Sequence, residues 1–390
     1  MMHMEIGSIY EMDPVLFTRI QTEAEPRIDL REAEKYNKKH IRYTASGREA
    51  IALALKSLEE RRPDVSKRCL LPAYMCDTVF FPFERMGWEL HFYHLGRDLS
   101  ADAVELSGLI EQVRPGLIFI HSYYGVDTWK FVRPLFCKWK AQGICIMEDV
   151  TQSYYLEEIG KEADFCVGSL RKWYAVPDGG FVASDEAFPE EKLDFNEEFT
   201  HARIDLLTEK WKYLHGQGSI ENRQALKEDY LKKNKDMEAS LDSYTGISAM
   251  SKESSYILSL TDENKCKNRR RDNYKYLQEK LTGRKQFVPV LDLKPWGGEP
   301  VCEKDVPVSL YFPIYAANRD RLQKFLSKHD IYAPILWPVG KENAGLLTEE
   351  ERYIYAHILA LPIDQRYGLK EMRQIVDILD LYEETETTQK

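Results

Sequence analysis

Lys172 stands in the stretch SLRKWYAVPDGG (169–180), three residues after Ser169 and just ahead of a Pro-Asp-Gly-Gly turn. An ε-amine just past a strand can attack an aldehyde and form a Schiff base, and a serine hydroxyl nearby can donate to a phosphate. A lone S-x-x-K is a weak motif, because most lysines are solvated surface charges. PDGG alone signals only a turn. Two upstream features raise the weight of Lys172. Asp149 ends the apolar run ICIMED, and Gln152 follows three residues on. A carboxylate at the tip of a buried strand can serve a ligand, or it can cap a helix or turn. Farther upstream, Ser46-Gly47-Arg48-Glu49-Ala50 opens a strongly periodic helix. The unpaired N–H groups and the dipole of such a first turn suit a phosphate. Ser46 and Glu49 read equally well as a capping box.

The frame for these residues is an alternation of strands and helices between about residues 41 and 184. CLLP (69–72), WELHFY (88–93), GLIFIHSYY (116–124), GICIMED (143–149), ADFCVGS (163–169) and GFVAS (180–184) are strand-like. Between them, residues 47–61, 100–113 and 129–142 carry apolar residues at helical spacing. This predicts an α/β fold with a mostly parallel central sheet covered by helices on both faces. Ligands in such sheets bind beyond the carboxyl ends of the strands, where Asp149 and Lys172 fall. Residues 186–243 read as a charged helical insertion. After a further charged helix, VPVSLYFPIY and IYAPILWP read as strands, and 318–330 and 368–384 as helices, giving a smaller α+β unit. The expected division is an arm at 1–30, a large domain at 31–250 and a small domain at 251–390. The polar tail EETETTQK is expected to fray.

Composition narrows the classes. A net charge of −10 and a pI near 5.6 argue against general nucleic-acid binding. Seven cysteines without a CxxC pair predict neither a disulfide framework nor a structural zinc, and suit a reducing cytoplasm. No apolar run approaches the roughly 20 residues of a membrane helix, and the first residues do not read as a signal peptide. His91 and His94 would lie on opposite faces of a strand, so no metal is expected there. The basic run 265–271 reads as a solvated helix face. Glycine fingerprints for nucleotide-hydrolysing or dinucleotide folds are absent.

Taken together, a phosphate-suited helix start, a strand-end aspartate and a lysine after the next strand match the needs of pyridoxal 5'-phosphate. That cofactor wants an anion site, a carboxylate on its ring nitrogen and an amine for its aldehyde. At this point the chain resembles the DegT-type sugar aminotransferases of the fold-type-I pyridoxal phosphate enzymes. The resemblance is carried by SGREA (46–50), LLPAY (70–74), HSYYG (121–125), EDVTQS (148–153), Lys172 with its glycine pair at 179–180, and ILALPI (358–363). It implies that Lys172 forms the Schiff base and shuttles the proton. It also implies that Asp149 pairs with the ring nitrogen and that Gln152 contacts the ring hydroxyl. The Gly47 and Arg48 amides, with Ser169, would hold the phosphate. For the aromatic residue that stacks on the ring, Tyr74 is the candidate, with Cys76 at the equivalent position as the alternative.

The resemblance further implies a cytoplasmic homodimer taking an amino donor, glutamate or glutamine, and a keto acceptor on a nucleotide-linked sugar. Three departures stand out. The serine-to-lysine spacing is two residues shorter than usual, the insertion at 186–243 is extra, and the segment that sends an asparagine to the partner's phosphate has no match in SYTGISAMS (243–251). These leave open a non-catalytic or regulatory relative, or a pyridoxal phosphate enzyme of another reaction type on a sugar. The dehydratase variant of the pattern carries histidine where this chain has Lys172.

Overall fold

The computed structural model describes residues 5–23, 31–157, 159–216, 220–243, 246–291 and 306–388. The expected arm at 1–30 therefore lies partly outside the described residues; within it a strand, β1 (Ile6–Gly7), and a helix, Pro14–Glu23, are formed. The next seven strands are β2 (His40–Thr44), β3 (Arg68–Pro72), β4 (Glu89–Tyr93), β5 (Leu117–His121), β6 (Cys145–Asp149), β7 (Phe165–Ser169) and β8 (Gly180–Ser184). They form one sheet in the order β2-β8-β7-β6-β5-β3-β4. The runs LIFIH and CIMED are buried at all five positions, as strands covered on both faces require. Leu117, Phe119 and Met147 pack with the helix Gly47–Arg61 on one face. Ile118, Ile120 and Ile146 pack with Trp129 and Trp139 on the other.

Strand directions put the chemistry on one edge. Strands β4, β3, β5, β6 and β7 pair in parallel. Strand β8 is antiparallel to both β7 and β2, so β2 runs with the others. The ends of β2, β5, β6 and β7, which are Thr44, His121, Asp149 and Ser169, therefore share an edge. Gly180 opens β8 opposite both Thr44 and Ser169. A Cβ there would come within 2.4 Å of the Ser46 carbonyl group, so only glycine lets the start of the helix and the lysine turn approach. The sheet order reverses between β3 and β5, and a crevice opens at such a switch point.

The remaining strands are β9 (Phe287–Pro289), β10 (Tyr311–Ala316), β11 (Ile331–Tyr332) and β12 (Ile358–Pro362). An antiparallel sheet runs β12-β10-β9, while β11 pairs with β1. The helices Glu263–Leu281 and Leu369–Thr388 share its apolar core through Tyr274, Leu277, Met372 and Leu379. The last helix continues through most of the tail expected to fray; residues 389–390 lie outside the described residues. The charged segment forms two helices, Glu197–Leu214 and Ile220–Ser243, that share a small core around Leu206, Tyr213 and Tyr230. Two expectations shrink. The helix read at 129–142 is confined to Phe136–Ala141 behind a 3₁₀ turn containing Pro134, which has no N–H to donate. The strand read in IYAPILWP is only Ile331–Tyr332, stopped before Pro334. Among the described residues no helix is long and apolar enough to cross a membrane.

One buried ion pair anchors the end of β6. Glu148 is fully buried and accepts from Arg133 Nη2 at 2.6 Å and Nη1 at 3.2 Å, and from the Gly160 N–H at 2.8 Å. Arg133 Nε reaches Asp127 at 2.8 Å. Removing the cation strands a carboxylate in the core. Arg133→Met is expected to lower the unfolding free energy in urea by about 3–5 kcal/mol, and adding Glu148→Gln should recover part of that loss. A single variant as stable as the wild type would contradict this account.

Candidate active site

A cavity of about 150 Å³ opens at the carboxyl edge of the sheet. Lys172 ends a 3₁₀ turn, Leu170–Lys172, directly after β7. Its side chain lines this cavity and is solvent-accessible. Burial lowers the pKa of the amine and the neighbouring Arg171 guanidinium lowers it further, against the opposing pull of Glu238 and Cys76. A neutral amine is the nucleophilic form.

Asp149 forms the floor. It is buried, with His121 Nδ1 3.1 Å from one carboxylate oxygen and the Thr151 N–H donating to the other at 2.8 Å. The second ring nitrogen of His121, Nε2, is buried without a partner. Gln152 accepts from the Tyr124 N–H through Oε1 at 3.2 Å, which leaves its Nε2 buried and unpaired. Ser169 is fixed by its own N–H, which donates to Thr151 Oγ1 at 3.1 Å. On the other side of Gly180, Ser46 caps the helix by accepting from the Glu49 N–H at 3.3 Å. Gly47 and Arg48 follow it into the cavity wall, and a Cβ on Gly47 would sit 3.3 Å from Ser169 Cβ.

The turn after Lys172 is held from below. Asp178 of PDGG is buried and accepts from Ser251 Oγ at 2.8 Å, the Ser251 N–H at 3.0 Å and Thr200 Oγ1 at 3.3 Å. Burial pushes its carboxyl up to about 6 against these donors.

Of the residues singled out in the sequence, Gly47, Arg48, Cys76, Asp149, Gln152, Ser169 and Lys172 all line this cavity. Tyr74 does not. It is fully buried behind the wall, packed against Tyr123, Tyr355 and Trp337, and its hydroxyl donates to the Leu336 carbonyl. Trp337 itself lines the cavity, with Tyr311 and Leu336 from the same C-terminal part. Sequence reasoning missed His121 as a partner of Asp149, although HSYYG had been noted. It also missed Arg171, Thr151 and Trp337, and it missed Glu238 of the insertion, whose carboxylate pairs with Arg171 at 2.8 Å.

The fold recurs in solved aminotransferases. The sugar aminotransferase CalS13 from Micromonospora echinospora superposes with a TM-score of 0.63 at 13% identity, covering 97% of this chain and 99% of that one. PseC of Helicobacter pylori, an aminotransferase involved in the biosynthesis of pseudoaminic acid, gives 0.66 at 15% identity, covering 98% and 100%. The apo form of Spr1654 from Streptococcus pneumoniae gives 0.69 at 14% identity, covering 99% of each chain; that protein is also solved in PLP and PMP forms. No protein-family model and no curated protein sequence matches the chain. At these identities the likeness establishes the fold-type-I architecture.

Glu49 gives this site a pH signature. It is buried in the first helical turn with Oε2 unpaired, and burial pushes its carboxyl up to about 8. A folded-state pKa above the ordinary 4.5 means that protonation favours the folded state, so Glu49's contribution is full below pH 4.5 and is lost as pH rises through 8. Glu49→Gln should flatten this part of the melting-temperature profile and exceed the wild type above pH 8. Parallel profiles for the two proteins would contradict the assignment.

Proposed function

We propose that this protein is a pyridoxal phosphate-dependent aminotransferase that moves an amino group from glutamate or glutamine to a keto group on a nucleotide-linked sugar. The observation that carries the reading is the convergence of Lys172, Asp149, Gln152 and the Ser46–Arg48 helix start on one cavity. The residues present fit the cofactor. The unpaired Nε2 of Gln152 suits a ring oxygen. The glycines at 47 and 180 leave the space in which a phosphate can approach backbone N–H groups. When bound, pyridoxal phosphate supplies an electron sink for the bonds around the transferred nitrogen.

The chain's own groups do the rest. Asp149, held by His121 and the Thr151 N–H, offers a fixed negative charge to a protonated ring nitrogen. Ser46, Gly47, Arg48 and Ser169 bind the phosphate end and so orient the ring. Lys172, with its lowered pKa, first acts as nucleophile and afterwards carries a proton at Nζ between the two reacting carbons. Leu310, Tyr311, Leu336 and Trp337 cover the cavity from the C-terminal side and restrict water.

Within this reading residues 31–250 form the cofactor domain and 251–390 the closing domain, and the resemblance adds a homodimer in the cytoplasm. The sedimentation coefficient of the purified protein tests the dimer.

Wild-type protein loaded with pyridoxal phosphate should show the visible absorption band of a lysine-linked cofactor, and glutamate should abolish it. Lys172→Ala should lack the band and lose turnover by at least roughly 10²–10⁴-fold, the range of a general acid–base group. A band indifferent to every common amino donor would favour a non-catalytic cofactor-binding protein. A band retained in Lys172→Ala would end the proposal.

A further inference from the structure

We propose that Arg48, Arg171 and Arg203 form a guanidinium clamp for the cofactor's phosphate dianion, with Glu238 of the charged insertion as its tethered counter-ion. This rests on the cofactor reading above and adds residues to it. Arg171 donates to Glu238 through both terminal nitrogens, at 2.8 and 3.2 Å. Arg203 Nη1 lies 3.8 Å and Arg48 Nη2 4.0 Å from the same carboxylate. Arg48 and Arg171 also line the cavity, beside Ser46, Gly47 and Ser169. Three guanidinia thus converge on one carboxylate, and two of them, Arg48 and Arg171, stand in the cavity wall beside the N-terminus of the Gly47–Arg61 helix, where a phosphate dianion would sit.

Two further features point to a missing anion. Arg203 is more than nine-tenths buried and its Nε has no hydrogen-bond partner, although Nη1 reaches Asn234 at 2.7 Å. Burial and the like charge of Arg171 bring the Arg203 guanidinium down to about 9. A buried cation under such strain gains from any anion brought alongside it. Glu238 is itself firmly ionised: burial alone would raise its carboxyl, but Arg171 and Lys172 bring it to about 2. The helix Ile220–Ser243 therefore holds a permanent negative charge against the clamp. The clamp is assembled within one chain, from the helix start (Arg48), the lysine turn (Arg171) and the insertion (Arg203, Glu238).

Paired titrations of cofactor-free protein with pyridoxal phosphate and with pyridoxal, which lacks the phosphate, separate this role from a structural one. For Arg171→Gln the dissociation constant of pyridoxal phosphate should rise roughly ten- to a hundredfold more than that of pyridoxal, the range for a lost charge-assisted hydrogen bond, since any change in the basicity of Lys172 is shared by both ligands. Arg203→Gln should show the same selective loss, smaller in size. Glu238→Gln, which removes the competing charge and keeps the side-chain volume, should tighten pyridoxal phosphate alone. Equal losses for both ligands, or unchanged pyridoxal phosphate affinity in Arg171→Gln, would overturn the clamp. If the wild type forms no lysine-linked band with either ligand, the cofactor reading fails separately. The clamp is then decided by the melting temperature in inorganic phosphate against chloride at equal ionic strength. A phosphate-specific rise present in the wild type and absent from Arg171→Gln supports an anion site, and equal behaviour sinks it.

Discussion

The approach of the helix start to the lysine turn is set by the register at Gly180. This residue lies opposite Thr44 on one side and Ser169 on the other, because β8 runs antiparallel between two strands that point the same way. The ladder hydrogen bonds of a sheet hold neighbouring strands about 4.8 Å apart. The helix start after β2 and the lysine turn after β7 are therefore only two strand spacings apart, with nothing but a glycine between them. A side chain at 180 would strike the Ser46 carbonyl and force the two apart. The electrostatic features follow from that closeness. A helix N-terminus, Arg48, Arg171 and Lys172 line one cavity together with Asp149. The meeting of these charges is thus a consequence of strand order.

Those charges have to be maintained in a largely apolar interior. The buried acids are each handled differently. Glu148 is neutralised by a bidentate guanidinium. Asp149 shares its charge with His121 and a backbone N–H. Asp178 is surrounded by hydroxyls and an N–H, with no ion pair among the described residues. Glu49 keeps one oxygen unpaired. Unpaired buried groups are costly and infrequent in folded proteins. Such groups occur on Glu49, His121 and Gln152 along this cavity and helix start, as they do at other buried positions among the described residues.

The parts of this architecture that were legible in the sequence are those encoded locally. Five-residue apolar runs ending in Asp149 or Ser169 announce buried parallel strands, because a strand covered on both faces cannot alternate. Ser46 ahead of a periodic segment announces a helix start. The two strands flanking Lys172 and the PDGG turn fix its neighbourhood within a dozen residues. What stayed hidden depends on pairing across long separations. Nothing near Arg133 says that it will meet Glu148, and nothing near Trp337 says that it will reach the cavity. Glu238 sits in a helix whose composition is charged throughout, so the carboxylate that pairs with Arg171 is indistinguishable in sequence from its neighbours. The helix read at 129–142 failed for a local reason: its apolar spacing is helical, but Pro134 lies inside it and a 3₁₀ turn takes its place.

Tyr74 shows how a residue can matter to a cavity it does not touch. Trp337 and Tyr311, from the C-terminal part, give the cavity aromatic lining, and Cys76 lines it from the loop after β3. Trp337 packs on Tyr74 with ring centroids 5.4 Å apart, and the Tyr74 hydroxyl donates to the carbonyl of Leu336. A buried tyrosine hydroxyl needs a partner, and here the partner is the backbone just before the tryptophan. The Tyr123 hydroxyl in turn donates to the Tyr74 carbonyl at 2.6 Å, and Tyr355 donates to the carbonyl of Ala73 at 2.9 Å. The loop after β3 is thereby tied on both sides, to β5's end and to the C-terminal part. Position 74 was drawn to the site by its aromatic character, but its side chain points one layer behind. Its physical contribution is to hold Trp337 over the cavity, so the closing wall is fixed by tyrosine hydroxyls donating to carbonyls across the crevice where the sheet order reverses.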